Sequence, residues 1–147
     1  MIIRKIQQTD VPYIYDLLYE EWGTNVADRI IAEVNSTFES SVWKPQYYVA
    51  TDTNSLIICG FAGFTPSHIL HGVYELNGIV VSKAHRGLDI GRKLTEKRLE
   101  EIKKLGGTFV MLMTKQVSFF CKFGFRSATH HGEWVLMIKE LEEPNFE

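Results

Sequence analysis

The stretch V-V-S-K-A-H-R-G-L-D-I-G-R-K-L, from Val80 to Leu94, constrains the fold of this chain more than any other. An apolar run leads into a basic loop holding two glycines, and the loop leads into the start of a helix. A strand that ends in such a loop turns several backbone N–H groups toward one point. The helix behind it adds the positive end of its dipole, so the point suits a phosphate. Charge gathers there too. Between Lys83 and Lys104 lie Lys83, Arg86, Arg92, Lys93, Lys97, Arg98, Lys103 and Lys104, half of the chain's 16 basic residues, against Asp89, Glu96, Glu100 and Glu101. The segment is therefore +4 in a chain of net charge -2, which leaves about -6 on the remainder and draws an anion to the loop. An ordinary glycine turn before a solvated amphipathic helix accounts for the same residues, so charge and glycines alone leave both readings open.

The 147 residues suit a single domain, 1–147, with a real hydrophobic core. The longest apolar runs, such as Leu56 to Phe64, are too short to cross a bilayer. The opening M-I-I-R-K-I-Q-Q-T-D lacks the apolar centre of a signal peptide. Cys59 and Cys121 form no C-x-x-C pair, which suggests neither a disulfide framework nor a zinc finger, and a reducing cytoplasm is the expected location.

Along the chain, Ile2 to Ile6 reads as a strand. Thr9 or Asp10 can cap the following helix, Pro12 suits its first turn, and Ile14, Leu17 and Leu18 recur at helical spacing. Asn25 is the expected cap of a second helix with the stripe Val26, Ile30 and Val34. The run S-S-V-W-K-P-Q reads as a loop. Tyr47–Thr51 and Ile57–Phe64 read as strands joined by D-T-N-S, and Tyr74–Val81 as another strand. A helix is expected over Ile90–Leu105, with Leu94, Arg98, Ile102 and Leu105 on the face of Gly91. Arg98 must there snorkel or meet an anion. Gly106 and Gly107 end that helix. Thr108–Met113 reads as a strand, Gln116–Phe123 as a short helix and Glu133–Lys139 as a last strand. The mixture is α+β, or mixed α/β.

Taken in order, these residues resemble the GNAT superfamily of N-acetyltransferases. The family's coenzyme-binding pattern is Gln or Arg, two free positions, Gly, one free position, then Gly or Ala. Arg86, Asp89 and Gly91 occupy the specified positions, so one of the three departs from it. Y-E-L-N-G-I-V-V is similar to the family's fourth strand, and F-V-M-L-M-T-K-Q-V-S-F-F-C-K-F-G-F to its fifth strand and following helix. The resemblance is clear from Tyr74 to Arg126. It implies a central, mostly antiparallel sheet flanked by helices, with the fourth and fifth strands splayed apart.

The resemblance further implies acetyl-CoA as co-substrate and no metal. Arg86, Gly87, Leu88, Asp89, Ile90, Gly91 and Arg92 would cradle its pyrophosphate, and Ile79, Val80 and Val81 would hydrogen-bond the pantetheine arm. Phe120 would line the far side of the gap, with Phe119 in the core. Glu75 stands where relatives place a base that takes the proton from the attacking ammonium. Strand alternation puts Glu75, Asn77, Ile79 and Val81 on one face, so apolar neighbours should raise the Glu75 pKa. Backbone N–H groups near Val80 and Val81 would serve as oxyanion donors. Two departures stand out. Asp89 replaces a glycine and its carboxylate competes with the pyrophosphate, although aspartate makes a good helix cap. Phe120 replaces a proton-donating tyrosine, with Ser118, Cys121 or a water as alternatives. Trp22, Trp43 and Tyr47 are candidate walls of the acceptor pocket, or plain packing. His68 with His71 lacks further metal ligands, and His130 and His131 read as exposed turn residues.

The function so implied is acetyl transfer to the primary amine of a small molecule or amino acid. Alternatives are protein or peptide N-acetylation, or a non-catalytic acyl-CoA-binding regulatory domain. The resemblance admits a homodimer. Net acidity argues against a nucleic-acid partner and the short apolar runs against a membrane one.

Overall fold

A computed structural model describes residues 1–39, 44–52 and 57–141. The loop residue Trp43, part of its S-S-V-W-K-P-Q loop and most of the D-T-N-S turn lie outside the described residues. In chain order the elements are β1 (Ile2–Lys5), α1 (Val11–Trp22), α2 (Thr24–Ser36), β2 (Gln46–Thr51), β3 (Ile58–Pro66), β4 (Val73–Val81), α3 (Ile90–Lys104), β5 (Phe109–Thr114), α4 (Val117–Cys121), β6 (Arg126–His131) and β7 (Trp134–Glu140). The strands form one seven-stranded sheet in the order β1-β2-β3-β4-β5-β7-β6. Every neighbouring pair is antiparallel except β4 with β5.

Helices cover the sheet on two sides. Ile14 and Leu18 of α1, with Ala27 and Val34 of α2, recur at helical spacing and pack on Tyr47, Val49, Phe61 and Val80. On the other side Leu94 and Ile102 of α3 meet Tyr48, Phe64, Leu76, Val110, Phe120 and Met137. Each large aliphatic or phenylalanine side chain so enclosed contributes roughly 1.5–3 kcal/mol. Glycine positions make two of these contacts possible. A Cβ at Gly63 would overlap the Tyr47 ring, and one at Gly60 would stand 2.8 Å from Cγ2 of Ile90.

The expected elements recur with four differences. The second helix begins at Thr24 with Gly23 at its cap, so Asn25 lies inside it. Asp10 acts one step earlier than expected: its carboxylate accepts the Gln7 N–H at 2.7 Å and pairs with Arg4 at 2.7 Å, tying β1 to the start of α1. Leu105 is exposed beyond the end of α3. β6 was not foreseen, because all six of its residues are exposed and its sequence, R-S-A-T-H-H, shows no buried alternation. His130 and His131 end that strand.

Candidate active site

After β4 the chain makes a short 3-10 turn at Lys83–His85 and enters α3 at Ile90. Gly87 has φ 83° and Asp89 has φ 64°, the latter being the one non-glycine with positive φ among the described residues. This corrects the expectation of a comfortable cap. Asp89 occupies the N-cap position but its side chain caps nothing, and its carboxylate turns to Arg92 at 3.5 Å. The backbone there keeps the left-handed shape that glycine adopts without penalty. Nothing stands within 4 Å of a Cβ built on Gly87, so the loop is open on that side. Leu88 is exposed, whereas Ile90 is buried.

The two loop arginines are already engaged. Arg86 Nη2 meets Glu21 of α1 at 2.7 Å, and its Nε donates to the Val81 carbonyl at 3.3 Å. Arg92 Nη1 donates to Glu96 at 2.8 Å, and that hydrogen bond together with the nearby acids raises its pKa.

Beside the loop the sheet opens. β4 and β5 pair only from Val73 with Phe109 to Glu75 with Met111. Beyond that point β4 leaves β5, which keeps its pairing with β7 through Thr114. β4 is also irregular toward β3. Gly63 faces Asn77 and Phe61 faces Val80, so Gly78 and Ile79 lie opposite the single residue Ala62, a β-bulge.

The bulge overturns the expected alternation. Tyr74 and Leu76 pack on the α3 side, as do Ile79 and Val81. Val80 packs against α1 and α2, and Gly78 faces Trp22 and Ile30. Glu75 and Asn77 therefore point to the α1/α2 side, away from Ile79 and Val81. The apolar neighbours expected for Glu75, Ile79 and Val81, lie on the other face, and its companions are Asn77 and Met111.

A polar group sits under α2 on the same side. The Tyr47 hydroxyl and Asn77 Nδ2 are buried without a hydrogen bond of good geometry. Burial and the Glu33 carboxylate push the Tyr47 phenol far above its usual range, against a smaller opposing effect from Asn77. The ring itself is core, stacked on Phe61 at 5.1 Å. Trp22 is 41% exposed and lies over Gly78, as a pocket wall would. Asn77 escaped because strand alternation slips at the bulge, and Glu33 because nothing local in α2 pairs it with Tyr47 on β2.

The adjacent phenylalanines exchange places. Phe120 is buried among Phe119 and Phe125, whereas Phe119 is half-buried with its ring edge 3.5 Å from a Cβ built on Gly91. Phe119 thus reaches the groove between α3 and β4. Arg98 neither snorkels nor meets an anion: it is buried and donates to the carbonyls of Gly63 and Asn77. A separate groove of about 710 Å³, lined by Ile69, Leu70, Phe109 and Met111, lies at the starting ends of β4 and β5, the end away from the loop. Among the described residues no group of three His, Cys, Asp or Glu side chains could hold a metal ion, and no helix is long and apolar enough to span a membrane.

A glycine-containing loop at a helix N-terminus thus stands beside two parallel strands that part company. The family described as "Acetyltransferase (GNAT) domain" matches residues 43–127, more than half the chain. The chain belongs to the GNAT acetyltransferases. Solved structures share its fold. An aminoglycoside 6'-N-acetyltransferase complexed with coenzyme A has TM-score 0.81 at 19% identity, covering 99% of this chain and 100% of that one. The ribosomal-protein-S18-alanine N-acetyltransferase of Escherichia coli has TM-score 0.76 at 15% identity, with 98% and 96% covered. The PaiA N-acetyltransferase of Thermoplasma acidophilum, in complex with coenzyme A, has TM-score 0.73 at 18% identity, with 95% and 98% covered. Among curated proteins no sequence matches.

Proposed function

We propose that this enzyme moves an acetyl group from acetyl-CoA to the primary amine of a small molecule or amino acid. The observation that carries the reading is the parting of β4 from β5 just after Glu75 and Met111, beside the open loop at the start of α3. Backbone N–H groups of the loop from Arg86 to Arg92 receive the pyrophosphate, where Gly87 leaves clear space. Arg86 and Arg92 add contacts by exchanging their carboxylate partners for phosphate oxygens. The β4 segment from Ile79 to Val81, unpaired toward β5, supplies main-chain hydrogen bonds to the pantetheine arm and the oxyanion donors. Phe119 lines that groove in place of Phe120.

Glu75 accepts the proton that an ammonium must lose before attack. Its place on the α1/α2 side puts the acceptor there, with Trp22 as one wall. The floor beyond is apolar. Val110, Leu112, Val135 and Met137 pack on the α3 side, so Met111, Met113, Trp134, Leu136 and Ile138 turn to the acceptor side. Met113 and Trp134 are half exposed on that floor. This open apolar surface supports a second reading in which the amine is the end of a peptide.

Calorimetry with acetyl-CoA, followed by a screen of amines, amino acids and short peptides, tests the proposal. Micromolar coenzyme binding with turnover on an amine supports it, and preference for peptides selects the second reading. No binding sinks both.

A further inference from the structure

We propose that Arg98 is a positioning residue for the coenzyme arm: from within the α3 layer it holds the irregular stretch of β4 and ties it to the anion-binding loop. What the arm is rests on the acetyl-transfer reading above; the contacts themselves do not.

Arg98 is 1% exposed and is the largest fully buried side chain among the described residues. Burial alone lowers its pKa, to about 9, with no acid opposing the shift, so it remains a cation at neutral pH without a counter-charge. A charge buried in this way is costly, and a long apolar side chain such as methionine at the same helical position would occupy most of the space without that cost. Filling the core therefore does not account for an arginine here.

Its contacts do. Nη1 carries two N–H groups and donates to the carbonyls of Gly63, at 3.1 Å, and Asn77, at 3.0 Å. These two residues face each other where the β3–β4 register slips, and Asn77 lies two positions past the last β4–β5 pair. Nη2 donates to the Thr95 hydroxyl at 3.2 Å, and that hydroxyl donates to the Gly91 carbonyl at 2.8 Å. One chain of hydrogen bonds thus runs from Gly91, in the loop pattern, to the carbonyl at the mouth of the gap. Arg98 Nε is left buried without a partner, so the guanidinium is placed for its carbonyls rather than satisfied all round. The chain fixes the spacing between the pyrophosphate cradle and the β4 groups that line the arm.

Three variants test this. Arg98→Met keeps the length and removes the donors, Arg98→Lys keeps a cation, and Thr95→Val keeps the shape and removes the hydroxyl. The readouts are acetyl-CoA affinity by calorimetry, amide hydrogen exchange across the sheet, and the kcat against acceptor KM split. In Arg98→Met we expect the acetyl-CoA dissociation constant to rise at least tenfold. Amides from Asn77 to Val81 should exchange at least tenfold faster while those of β7 are unchanged, and kcat should fall with acceptor KM held. Arg98→Lys should recover part of these losses, and Thr95→Val should fall between. A folded Arg98→Met with wild-type affinity and wild-type β4 exchange overturns the proposal, as does a rise in exchange spread evenly over the sheet. If Arg98→Met does not fold, Arg98→Lys and Thr95→Val decide on the same readouts. Failure of the wild type to bind acetyl-CoA overturns the acetyl-transfer reading instead, and β4 exchange in the variants still decides whether Arg98 holds the strand.

Discussion

Replacing Asp89 with glycine separates what the backbone of the loop requires from what its charge opposes. The residue holds φ 64°, and its side chain is 68% exposed and paired only loosely with Arg92 at 3.5 Å. A left-handed non-glycine residue costs roughly 1 kcal/mol. Glycine's extra freedom in the unfolded chain costs about 0.5–1 kcal/mol. The two nearly cancel, so thermal stability should change little. Affinity should change more. A carboxylate about 5 Å from a pyrophosphate carrying two negative charges opposes it by roughly 1.5 kcal/mol in water. Screening at a Debye length of about 10 Å reduces that to roughly 1 kcal/mol. Asp89→Gly should therefore bind acetyl-CoA about fivefold more tightly at 0.1 M salt, with a larger gain in dilute buffer. Asp89→Asn, which tolerates the same backbone shape, should reproduce most of the gain if charge is the cause. Calorimetry at two ionic strengths checks both variants. If neither binds more tightly than the wild type in dilute buffer, the carboxylate does not face the coenzyme and the placement of the pyrophosphate is wrong.

Three further outcomes are expected. Glu75→Gln should lower acetyl transfer roughly 10²- to 10⁴-fold while leaving acetyl-CoA affinity alone, as steady-state rates beside calorimetry would show. Asp10→Asn should lower stability by about 2 kcal/mol through loss of the Arg4 pair and weakening of the Gln7 contact, read from urea midpoints. The Arg4 hydrogen bond holds the Asp10 pKa below its usual value, so this stabilisation is full above the ordinary carboxylate range and disappears as pH falls through the lowered folded value; the wild type and Asp10→Asn should converge in stability in strong acid. Phe120→Tyr should destabilise by about 1–3 kcal/mol by burying an unpartnered hydroxyl. It should not raise the rate, because the Phe120 ring lies in the core; a faster enzyme would show that this position reaches the leaving thiol.

The parts of the fold legible in the sequence were those written by local patterns. Pro12, Ile14 and Leu18 marked α1, the glycines at 106 and 107 ended α3, and the run from Tyr74 to Arg126 carried the order of β4, α3, β5 and α4. What escaped depends on contacts between distant strands. The bulge arises because β4 carries one residue more than β3 between Asn77 and Val80; the mid-strand Gly78 in Y-E-L-N-G-I-V-V is a bulge signal, but it does not say which flanking residues change face. That single residue sends Glu75 and Ile79 to opposite faces and so changes which side chains surround the candidate base. Phe119 and Phe120 exchanged places for a similar reason: adjacent helix positions differ by about 100°, and sequence does not say which of two identical side chains faces inward. Asp89 was read as a cap from its residue type, whereas its role depends on a φ angle.

Charge counting also needs the structure. Of the eight cations between Lys83 and Lys104, Arg86 is held by Glu21, Arg92 by Glu96, Lys97 by Glu101 and Lys104 by Glu100, while Arg98 is buried under the sheet. Glu96, Glu100 and Glu101 are already counted in the +4, so of these partners only Glu21, from outside the segment, lowers it, to +3. The backbone adds to this residual charge at the loop, through N–H groups around Gly87 and Asp89 and the first turn of a 15-residue helix. Exposed ion pairs are worth about 0–1 kcal/mol each, so a pyrophosphate can take Arg86 or Arg92 from its carboxylate at little cost. Each such exchange swaps one ion pair for another and adds little net salt dependence. Wild-type affinity for acetyl-CoA should therefore fall with added salt much less steeply than a bare cluster of eight cations would require, because fixed main-chain dipoles close to the ligand are screened less than exposed charges at a distance.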